Sequence, residues 1–336
     1  MTSYLIELSK ENLLLSQMEA KALLEEFVKR SSFLTDGNLL IFESNAKIEA
    51  VLKILDKLAF SKLAVQILQK EENGRELTKN LIENRYLEGI NFPKESSFKI
   101  TINHVFEKKS DLNVDDLAKN TYNSSGITNI NLKNPDFEFI AYTAKEYYFG
   151  IRIWKNTNKF IERRADKRPE SHPTSMNPRF SRAMINLANP KKEVLDPFCG
   201  SGGTLLEAGM MGLNTIGIDI DNRMIERSRK NFEHYGLKNY ELVEGDALSW
   251  EKHVECVVTD VPYGRSSKLK EELKGLIEKF LIKYKELTNT IVIAFPDYID
   301  TETIANEVGW IVLSTFSIYV HSTLTRKIMV LKNDLN

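Results

Sequence analysis

The chain has 336 residues, and 46 lysine and arginine side chains against 47 aspartate and glutamate side chains give a formal net charge of −1. A hydrophobic content of 42% and a charged content of 28% exclude a disordered or collagen-like chain, and the length suits two globular domains. No stretch reaches the roughly 18 consecutive apolar residues of a membrane span, and no secretion signal is recognisable, so we expect neither membrane attachment nor export.

The first half of the chain predicts short strands that alternate with amphipathic helices. Enrichment in β-branched and aromatic residues predicts strands at 4–8, 39–43, 97–103, 137–143 and 147–154. Apolar residues that recur every three and four positions predict helices at 16–30, 45–58 and 76–87. We therefore expect an α+β domain over residues 1–165, with helices packed on one face of a sheet.

The second half, residues 166–336, has a different pattern. Short apolar runs predict buried strands at 193–196, 215–219, 240–244, 256–259 and 290–294. Helices are predicted between them at 204–211, 223–235 and 268–284. This alternation predicts an α/β domain with a parallel sheet, and the extended runs 309–318 and 326–331 predict an antiparallel pair at one end.

The junction between the two predicted domains carries a local excess of positive charge. Residues 151–192 contain eleven basic and three acidic side chains, a net charge of +8, and include Trp154, Phe160 and Phe180. Clustered basic charge beside aromatic residues is typical of a surface that binds a nucleic-acid backbone. A solvated linker has the same composition, so the segment by itself leaves both interpretations open.

A glycine-rich turn follows the first strand of the second half. Residues 196–204 read Asp-Pro-Phe-Cys-Gly-Ser-Gly-Gly-Thr, where Gly200 and Gly202 permit a positive φ and a close approach of a ligand to the backbone. Dinucleotide-binding turns place a pyrophosphate at this point. Here the acid Asp196 precedes the turn and suits a ligand with an ammonium group, although a glycine turn alone can simply end a strand.

Two further acids follow the next two strands. Asp219 lies 23 residues after Asp196, near the usual offset of an acid that binds ribose hydroxyls, and Asp221 is a second candidate. Asp246 follows the third strand, where it can accept a hydrogen bond from the exocyclic amine of adenine. Each acid alone could be a helix N-cap. Acids at three successive strand ends together predict a nucleoside ligand.

The fourth strand ends in Asp260-Val-Pro-Tyr-Gly. An amine conjugated to a purine ring is a poor nucleophile, because its lone pair is delocalised. Asp260 and a backbone carbonyl near Pro262 could accept its two hydrogens, and Tyr263 could stack on the base. The same residues could also form an ordinary strand-ending turn.

Together these motifs resemble the S-adenosylmethionine-dependent amino-methyltransferases, whose reactive motif reads Asp/Asn/Ser-Pro-Pro followed by an aromatic residue. Further segments narrow the resemblance to the tRNA guanine-N2 methyltransferases with an N-terminal THUMP domain, especially the archaeal guanosine-10 enzymes. These segments are Asn-Leu-Lys-Asn-Pro-Asp at 131–136, the strand that ends at 151, His-Pro-Thr-Ser-Met-Asn-Pro-Arg at 172–179 and His-Ser-Thr-Leu-Thr-Arg-Lys at 321–327.

The resemblance implies a class I, Rossmann-like methyltransferase domain preceded by a ferredoxin-like segment and a THUMP domain that binds tRNA. It implies S-adenosylmethionine as cofactor, no metal, a flipped guanine whose exocyclic N2 is methylated, and possibly two methylations. A small activating subunit is an open question, and otherwise we expect a monomer. The implied catalytic residues are Asp260, Pro262 and Tyr263, and the implied cofactor-binding residues are Asp196, Phe198, Gly200, Gly202, Asp219, Asp221, Asp246 and Ala247.

One residue departs from the family pattern: Val261 stands where the first proline of the motif is usual. Valine keeps the backbone carbonyl but lacks the fixed φ of proline. Three alternatives therefore stay open: methylation of guanosine 6, a DNA adenine or protein glutamine methyltransferase, and a tRNA-binding protein with a decayed site.

The remaining reactive side chains indicate no further chemistry. Cys199 and Cys256 fall in the turn and in a buried strand, where they are expected to pack rather than to act as nucleophiles. Two cysteines favour the reducing cytoplasm. The five histidines show no metal-ligand spacing, and they are His104, His172, His234, His253 and His321.

Overall fold

The computed structural model describes residues 1–29, 32–83, 87, 90, 92–93, 95–106, 111–171, 175–262, 267–322 and 324–333. The chain forms two compact units. Unit 1 comprises Met1–Gln17, Leu24–Asp56 and Ser61–Thr157, and unit 2 comprises Met18–Leu23, Lys57–Phe60 and Asn158–Asn336. The expected division into an RNA-binding region 1–165 and a catalytic region 166–336 stays a prediction.

Unit 1 contains an eight-stranded sheet in the order β2-β3-β1-β4-β8-β7-β5-β6. Its strands are β1 (Thr2–Leu8), β2 (Leu34–Asp36), β3 (Leu39–Ser44), β4 (Ser61–Glu71), β5 (Ser97–His104), β6 (Asn129–Ile130), β7 (Phe137–Thr143) and β8 (Tyr147–Lys155). The first four helices of the chain are α1 (Leu13–Leu24), α2 (Ile48–Leu55), α3 (Gly74–Glu83) and α4 (Val114–Ser125). The five predicted strands of this half are present, and the predicted α+β character is confirmed.

Three elements of this half differ from the prediction. β4 was not predicted, because two register shifts, between Ala64 and Val65 and between Ile67 and Gln69, break its alternation of buried and exposed residues. Helix α4 was also not predicted. The helix predicted at 16–30 begins earlier, at Leu13, and ends at Leu24.

Unit 2 contains a seven-stranded sheet in the order β11-β10-β9-β12-β13-β15-β14. Its strands are β9 (Glu193–Asp196), β10 (Asn214–Asp219), β11 (Tyr240–Glu244), β12 (Val257–Asp260), β13 (Thr290–Pro296), β14 (Ile311–His321) and β15 (Leu324–Lys332). The helices are α5 (Pro178–Ala188), α6 (Gly203–Met210), α7 (Asn222–His234), α8 (Ser267–Tyr284) and α9 (Thr301–Glu307). Strands β9 to β13 pair in parallel, and β15 pairs antiparallel with β13 and β14. The predicted parallel sheet with an antiparallel pair at one end is confirmed.

Two short segments from the first half of the sequence belong to unit 2. Within it, the buried carboxylate of Glu19 accepts three hydrogen bonds of 2.7–2.9 Å, from the backbone N–H groups of Ala59 and Phe60 and from the side-chain amide of Asn186. This carboxylate therefore ties both segments to helix α5.

Helix α5 lies within the segment expected to be a basic junction. Its start carries a helix signal that sequence analysis missed: Pro178 occupies the first turn, and the side chain of Asn177 accepts a hydrogen bond from the N–H of Arg179. The helix is buried along most of its length. Among the described helices of the chain, none is long and apolar enough to cross a membrane.

Candidate active site

The carboxyl ends of the parallel strands in unit 2 surround a cavity of about 440 Å³. This volume lies in the usual range of small-molecule sites, and the end of a doubly wound sheet is their usual position. A smaller cavity of about 80 Å³ adjoins it, and both are lined by Phe198, Gly200 and Asp260. The ring of Phe198 also packs against Phe280, with ring centroids 5.6 Å apart.

The glycine-rich turn between β9 and α6 forms one wall. Gly200 and Gly202 have φ values of 53° and 79°, so both adopt the left-handed conformation that favours glycine. A β-carbon at Gly202 would lie 2.7 Å from the ring of Phe232, whereas one at Gly200 would meet no atom within 4 Å. Gly202 is therefore needed for packing, and Gly200 leaves open space beside the cavity.

Asp219 clamps this turn and lines the larger cavity. Its Oδ2 accepts a hydrogen bond of 2.9 Å from the N–H of Gly200, and its Oδ1 accepts one of 2.9 Å from the N–H of Asp221. The hydroxyl of Ser228 donates to the carbonyl of Gly200 at 2.7 Å. Asp219 thus orients the turn and faces the cavity at once.

Asp196 lines the smaller cavity and is only 2% exposed. It accepts hydrogen bonds from the Thr259 hydroxyl at 2.6 Å and from the N–H of Phe198 at 3.1 Å. Burial raises the pKa of its carboxyl to about 7, and the negative charges of Asp260 and Asp219 act in the same direction. A cationic ligand group would stabilise the ionised form at this position.

The two remaining predicted acids lie in different places. Asp246 lines the larger cavity together with Ala247, and its side chain accepts a 2.9 Å hydrogen bond from the N–H of Leu248. Asp221 is instead the N-cap of α7, where it accepts from the N–H of Arg223 and forms an ion pair with that side chain at 2.7 Å. Asp221 is not among the residues that line either cavity, which corrects its assignment as a second ribose-binding candidate.

The reactive motif at the end of β12 projects into both cavities through Asp260. Val261 is buried, and its N–H donates to the carbonyl of Ala294 at 3.1 Å, while Pro262 is exposed and lines the larger cavity. Tyr263, predicted to stack on the base, lies outside the described residues. The structure therefore brings Asp196, Asp219, Asp246 and Asp260 to one end of the sheet, as the strand-end pattern predicted.

Sequence reasoning missed two contributors to this site. Nη2 of Arg326, on β15, lies 3.1 Å from Oδ2 of Asp260. Ile220 is 78% exposed and lines the larger cavity, so it offers an apolar surface to a ligand. Position was the available signal for Ile220, since it directly follows Asp219. Arg326 lies in the 321–327 segment, but its partner could not be read from local sequence.

The basic junction is only partly a surface. Of its eleven cations, Arg163, Arg168 and Arg182 are buried, and Arg163 and Arg182 form ion pairs of 2.6 and 2.9 Å with the buried Glu207. This corrects the interpretation of the whole segment as a phosphate-binding face. The cations that stay exposed are Lys155, Lys159, Arg164, Lys167, Lys191 and Lys192.

Cysteine chemistry has no support in the structure. Both thiols are buried, and burial raises the pKa of Cys199 and of Cys256, so neither is a ready thiolate. Within the part of the chain that the structure describes, no group of three or more histidine, cysteine, aspartate or glutamate side chains could hold a metal ion.

Comparison with known proteins decides the family. A sequence profile described as RMKL-like, methyltransferase domain, matches residues 165–326, and a DNA methylase profile matches residues 23–230, ending before Asp260. A tRNA (guanine(10)-N2)-dimethyltransferase from Pyrococcus abyssi is 37% identical over 241 residues, which cover 70% of this chain and 72% of the relative. The chain belongs to this family.

More distant matches extend over nearly the whole chain. The tRNA (guanine(10)-N2)-dimethyltransferase of Methanocaldococcus jannaschii is 28% identical over 326 residues, covering 92% of this chain and 87% of the relative. The crystal structure of TrmN from Thermus thermophilus shares the fold, with a TM-score of 0.55 at 16% identity and coverage of 98% and 99%. The chain is thus a methyltransferase, an enzyme with a Rossmann-like α/β domain that uses S-adenosylmethionine.

Proposed function

We propose that this enzyme methylates the exocyclic N2 of guanosine 10 in tRNA and can add two methyl groups. N2 methylation of a tRNA guanosine is the activity of the family to which it belongs. The observation that carries the proposal is the position of Asp260, which lines both cavities beside the glycine-rich turn. An acceptor of amine hydrogens therefore lies next to the proposed cofactor site.

The residues at the sheet end fit S-adenosylmethionine. Asp196 suits the ammonium group, Asp219 the ribose hydroxyls, and Asp246 with Ala247 the adenine. Gly200 leaves open space beside its backbone, Gly202 holds the turn, and Phe198 lines both cavities. We leave Asp221 out of this set, because it caps α7. When bound, S-adenosylmethionine supplies an electrophilic methyl group on sulfur.

The transfer needs a nucleophilic nitrogen. Asp260 and the carbonyl of Val261 or Pro262 accept the two N2 hydrogens, which localises the lone pair on nitrogen, and Tyr263 stacks on the flipped guanine. The N–C bond forms as the S–C bond breaks, and S-adenosylhomocysteine leaves. One N2 proton passes to the Asp260 carboxylate and then to water. A second passage through the same steps gives dimethylguanosine.

Unit 1 is proposed to hold the tRNA as a ferredoxin-like segment and THUMP domain, in the cytoplasm. The Methanocaldococcus relative supports this, because its match to this chain includes the first half. A requirement for an activating subunit would appear as a protein that binds S-adenosylmethionine but does not methylate tRNA alone.

The activity is tested with purified enzyme, an unmodified tRNA transcript and labelled S-adenosylmethionine. We expect N2-methylated guanosine at position 10, mapped by nuclease digestion and mass spectrometry, and none in a transcript with adenosine 10. Asp260→Ala and Asp260→Asn should lower kcat by about 10²–10⁴-fold. Asp300→Asn is the control, since asparagine keeps the N-cap of α9.

Three outcomes would contradict the proposal. Methylation at guanosine 6 would keep the chemistry and change the position. Methylation of a DNA duplex but not of tRNA would favour the function suggested by the DNA methylase profile. Full activity of Asp260→Ala would remove the proposed mechanism.

A further inference from the structure

Arg326 reaches the carboxylate of Asp260 across an intervening strand. Its Nη2 lies 3.1 Å from Oδ2 of Asp260, and the two side chains are 8% and 17% exposed. Water and salt screen a pair this buried much less than a pair on the surface. The guanidinium therefore acts strongly on the acid that the proposed mechanism uses.

The strand register explains the length of this side chain. Asp260 pairs with Ala294 of β13, and Arg326 pairs with Pro296, two residues farther along the same strand. Paired residues and residues two apart share a face of the sheet, so both side chains lie on the same face. Because neighbouring strands are about 4.8 Å apart, the backbones of β12 and β15 are about 10 Å apart. The long arginine side chain spans the gap that a short aspartate leaves.

The backbone holds both ends of this bridge. The N–H of Val261 donates to the carbonyl of Ala294 at 3.1 Å, directly after Asp260. The N–H of Asp297 donates to the carbonyl of Thr325 at 3.0 Å, directly before Arg326. Neither backbone can move without breaking a bond to the region of β13.

We propose that Arg326 is a positioning residue for methyl transfer, whose guanidinium keeps the Asp260 carboxylate ionised and in one orientation toward the target amine. The inference rests on the proposed function of Asp260. An ionised carboxylate has about four acceptor positions, so the ion pair leaves capacity for an amine hydrogen. Asp196 on β9 opposes ionisation of Asp260 by its negative charge, and Arg326 on β15 favours it.

A titration of the ligand-free enzyme tests the ion pair without relying on turnover. Aspartate carboxyls are labelled with ¹³C, and the Asp260 signal is assigned as the one missing from Asp260→Asn. In Arg326→Gln its titration midpoint should rise by about one pH unit or more, because loss of a nearby cation favours protonation. Arg326→Lys keeps the charge and should stay closer to the wild type. Lys327→Gln removes the adjacent cation, which points to the other face of the strand, and is the matched control.

Kinetics on tRNA tests the consequence for the reaction. Arg326→Gln should lower kcat by about 10- to 100-fold at neutral pH, with KM for tRNA changed by less than about threefold. The acid limb of its pH profile should move to higher pH, and Arg326→Lys should recover part of kcat. Lys327→Gln should leave kcat within about twofold of the wild type.

Three results would overturn the inference. An unchanged Asp260 midpoint in Arg326→Gln would mean that the guanidinium does not act on the acid. A raised KM with unchanged kcat would identify Arg326 as a contact to tRNA. A fall in kcat matched by a loss of melting temperature, with no shift of the pH profile, would show a purely structural role. Absence of N2-methylguanosine with the wild-type enzyme would refute the proposed function instead, and the titration would still report on the ion pair.

Discussion

Asp196 combines burial with proximity to two other acids. The pKa of about 7 arises mainly from loss of water around the carboxylate, which the hydrogen bonds from Thr259 and Phe198 only partly offset. An aspartate in an unfolded chain has a pKa near 3.9. The folded, ligand-free enzyme therefore holds a proton on Asp196 at a pH where the unfolded chain does not.

This shift predicts a pH-dependent affinity for S-adenosylmethionine. If ionised Asp196 binds the ammonium group, the dissociation constant should fall about five- to tenfold between pH 6 and pH 7.5, as the carboxyl with a pKa of about 7 loses its proton. Isothermal titration calorimetry measures it, and Asp196→Asn should show weak binding with little pH dependence. An equal pH dependence in Asp196→Asn would show that another group is responsible.

The same carboxyl should affect stability with the opposite trend. A group with a raised pKa in the folded state stabilises it fully below the unfolded pKa, and this stabilisation is lost as the pH rises through the folded value. For Asp196 the loss extends from about pH 4 to about pH 7. The cofactor should therefore stabilise the protein more at pH 7.5 than at pH 6.

At the scale of elements, the end of β12 shows how this chain manages without the first proline of its motif. Val261 extends the pairing with β13 by one hydrogen bond, from its N–H to the carbonyl of Ala294 at 3.1 Å. Its side chain is buried in the core that includes Leu273 and Ile277. Packing and a backbone bond here restrict the loop that proline restricts through its ring.

Val261→Pro should accordingly destabilise this protein. Proline cannot donate to Ala294, and a lost hydrogen bond with a buried acceptor costs about 1–3 kcal/mol. Urea denaturation measures the free energy of unfolding. Val261→Ala is the control, since it keeps the N–H and loses only methyl groups. Wild-type stability of Val261→Pro would show that the N–H contributes nothing.

At the scale of the whole molecule, the charge of −1 hides both buried and exposed cations. In unit 2, Glu207 is buried between Arg163 and Arg182, both of them buried as well. These arginines are committed to the interior and cannot bind phosphate. The exposed cations Lys167, Lys191 and Lys192 remain available to tRNA.

Two variants separate these roles. Glu207→Gln leaves two buried guanidiniums without their counter-charge and should cost about 3–5 kcal/mol in urea denaturation. Glu226→Gln, which breaks an exposed pair with Arg229, should cost at most about 1 kcal/mol. A similar cost for both would contradict the assignment of Glu207 as the centre of a buried cluster.

The exposed cations should act on binding instead of folding. Lys167→Gln combined with Lys191→Gln should leave the free energy of unfolding nearly unchanged and weaken tRNA binding. The slope of log affinity against log salt should fall by up to about one for each lost phosphate contact. An unchanged slope would mean that tRNA binds elsewhere.

The amino-acid sequence alone determined the parallel sheet of unit 2 and the acids Asp196, Asp219, Asp246 and Asp260 at its edge. Strand periodicity is local, and parallel strands end at one edge, so these positions follow from spacing. Where local signals were broken, as by the two register shifts in β4, the element was missed.

Only the tertiary structure decided which of the charged residues do chemistry and which do packing. Arg163 and Lys167 look alike in sequence, yet one is buried against Glu207 and the other is exposed. Asp221 looks like Asp219, yet it caps a helix. The pKa of Asp196 and the ion pair between Asp260 and Arg326 depend on burial and on contacts between residues far apart in the chain. Local periodicity cannot encode such contacts, because they form only when separate strands pair.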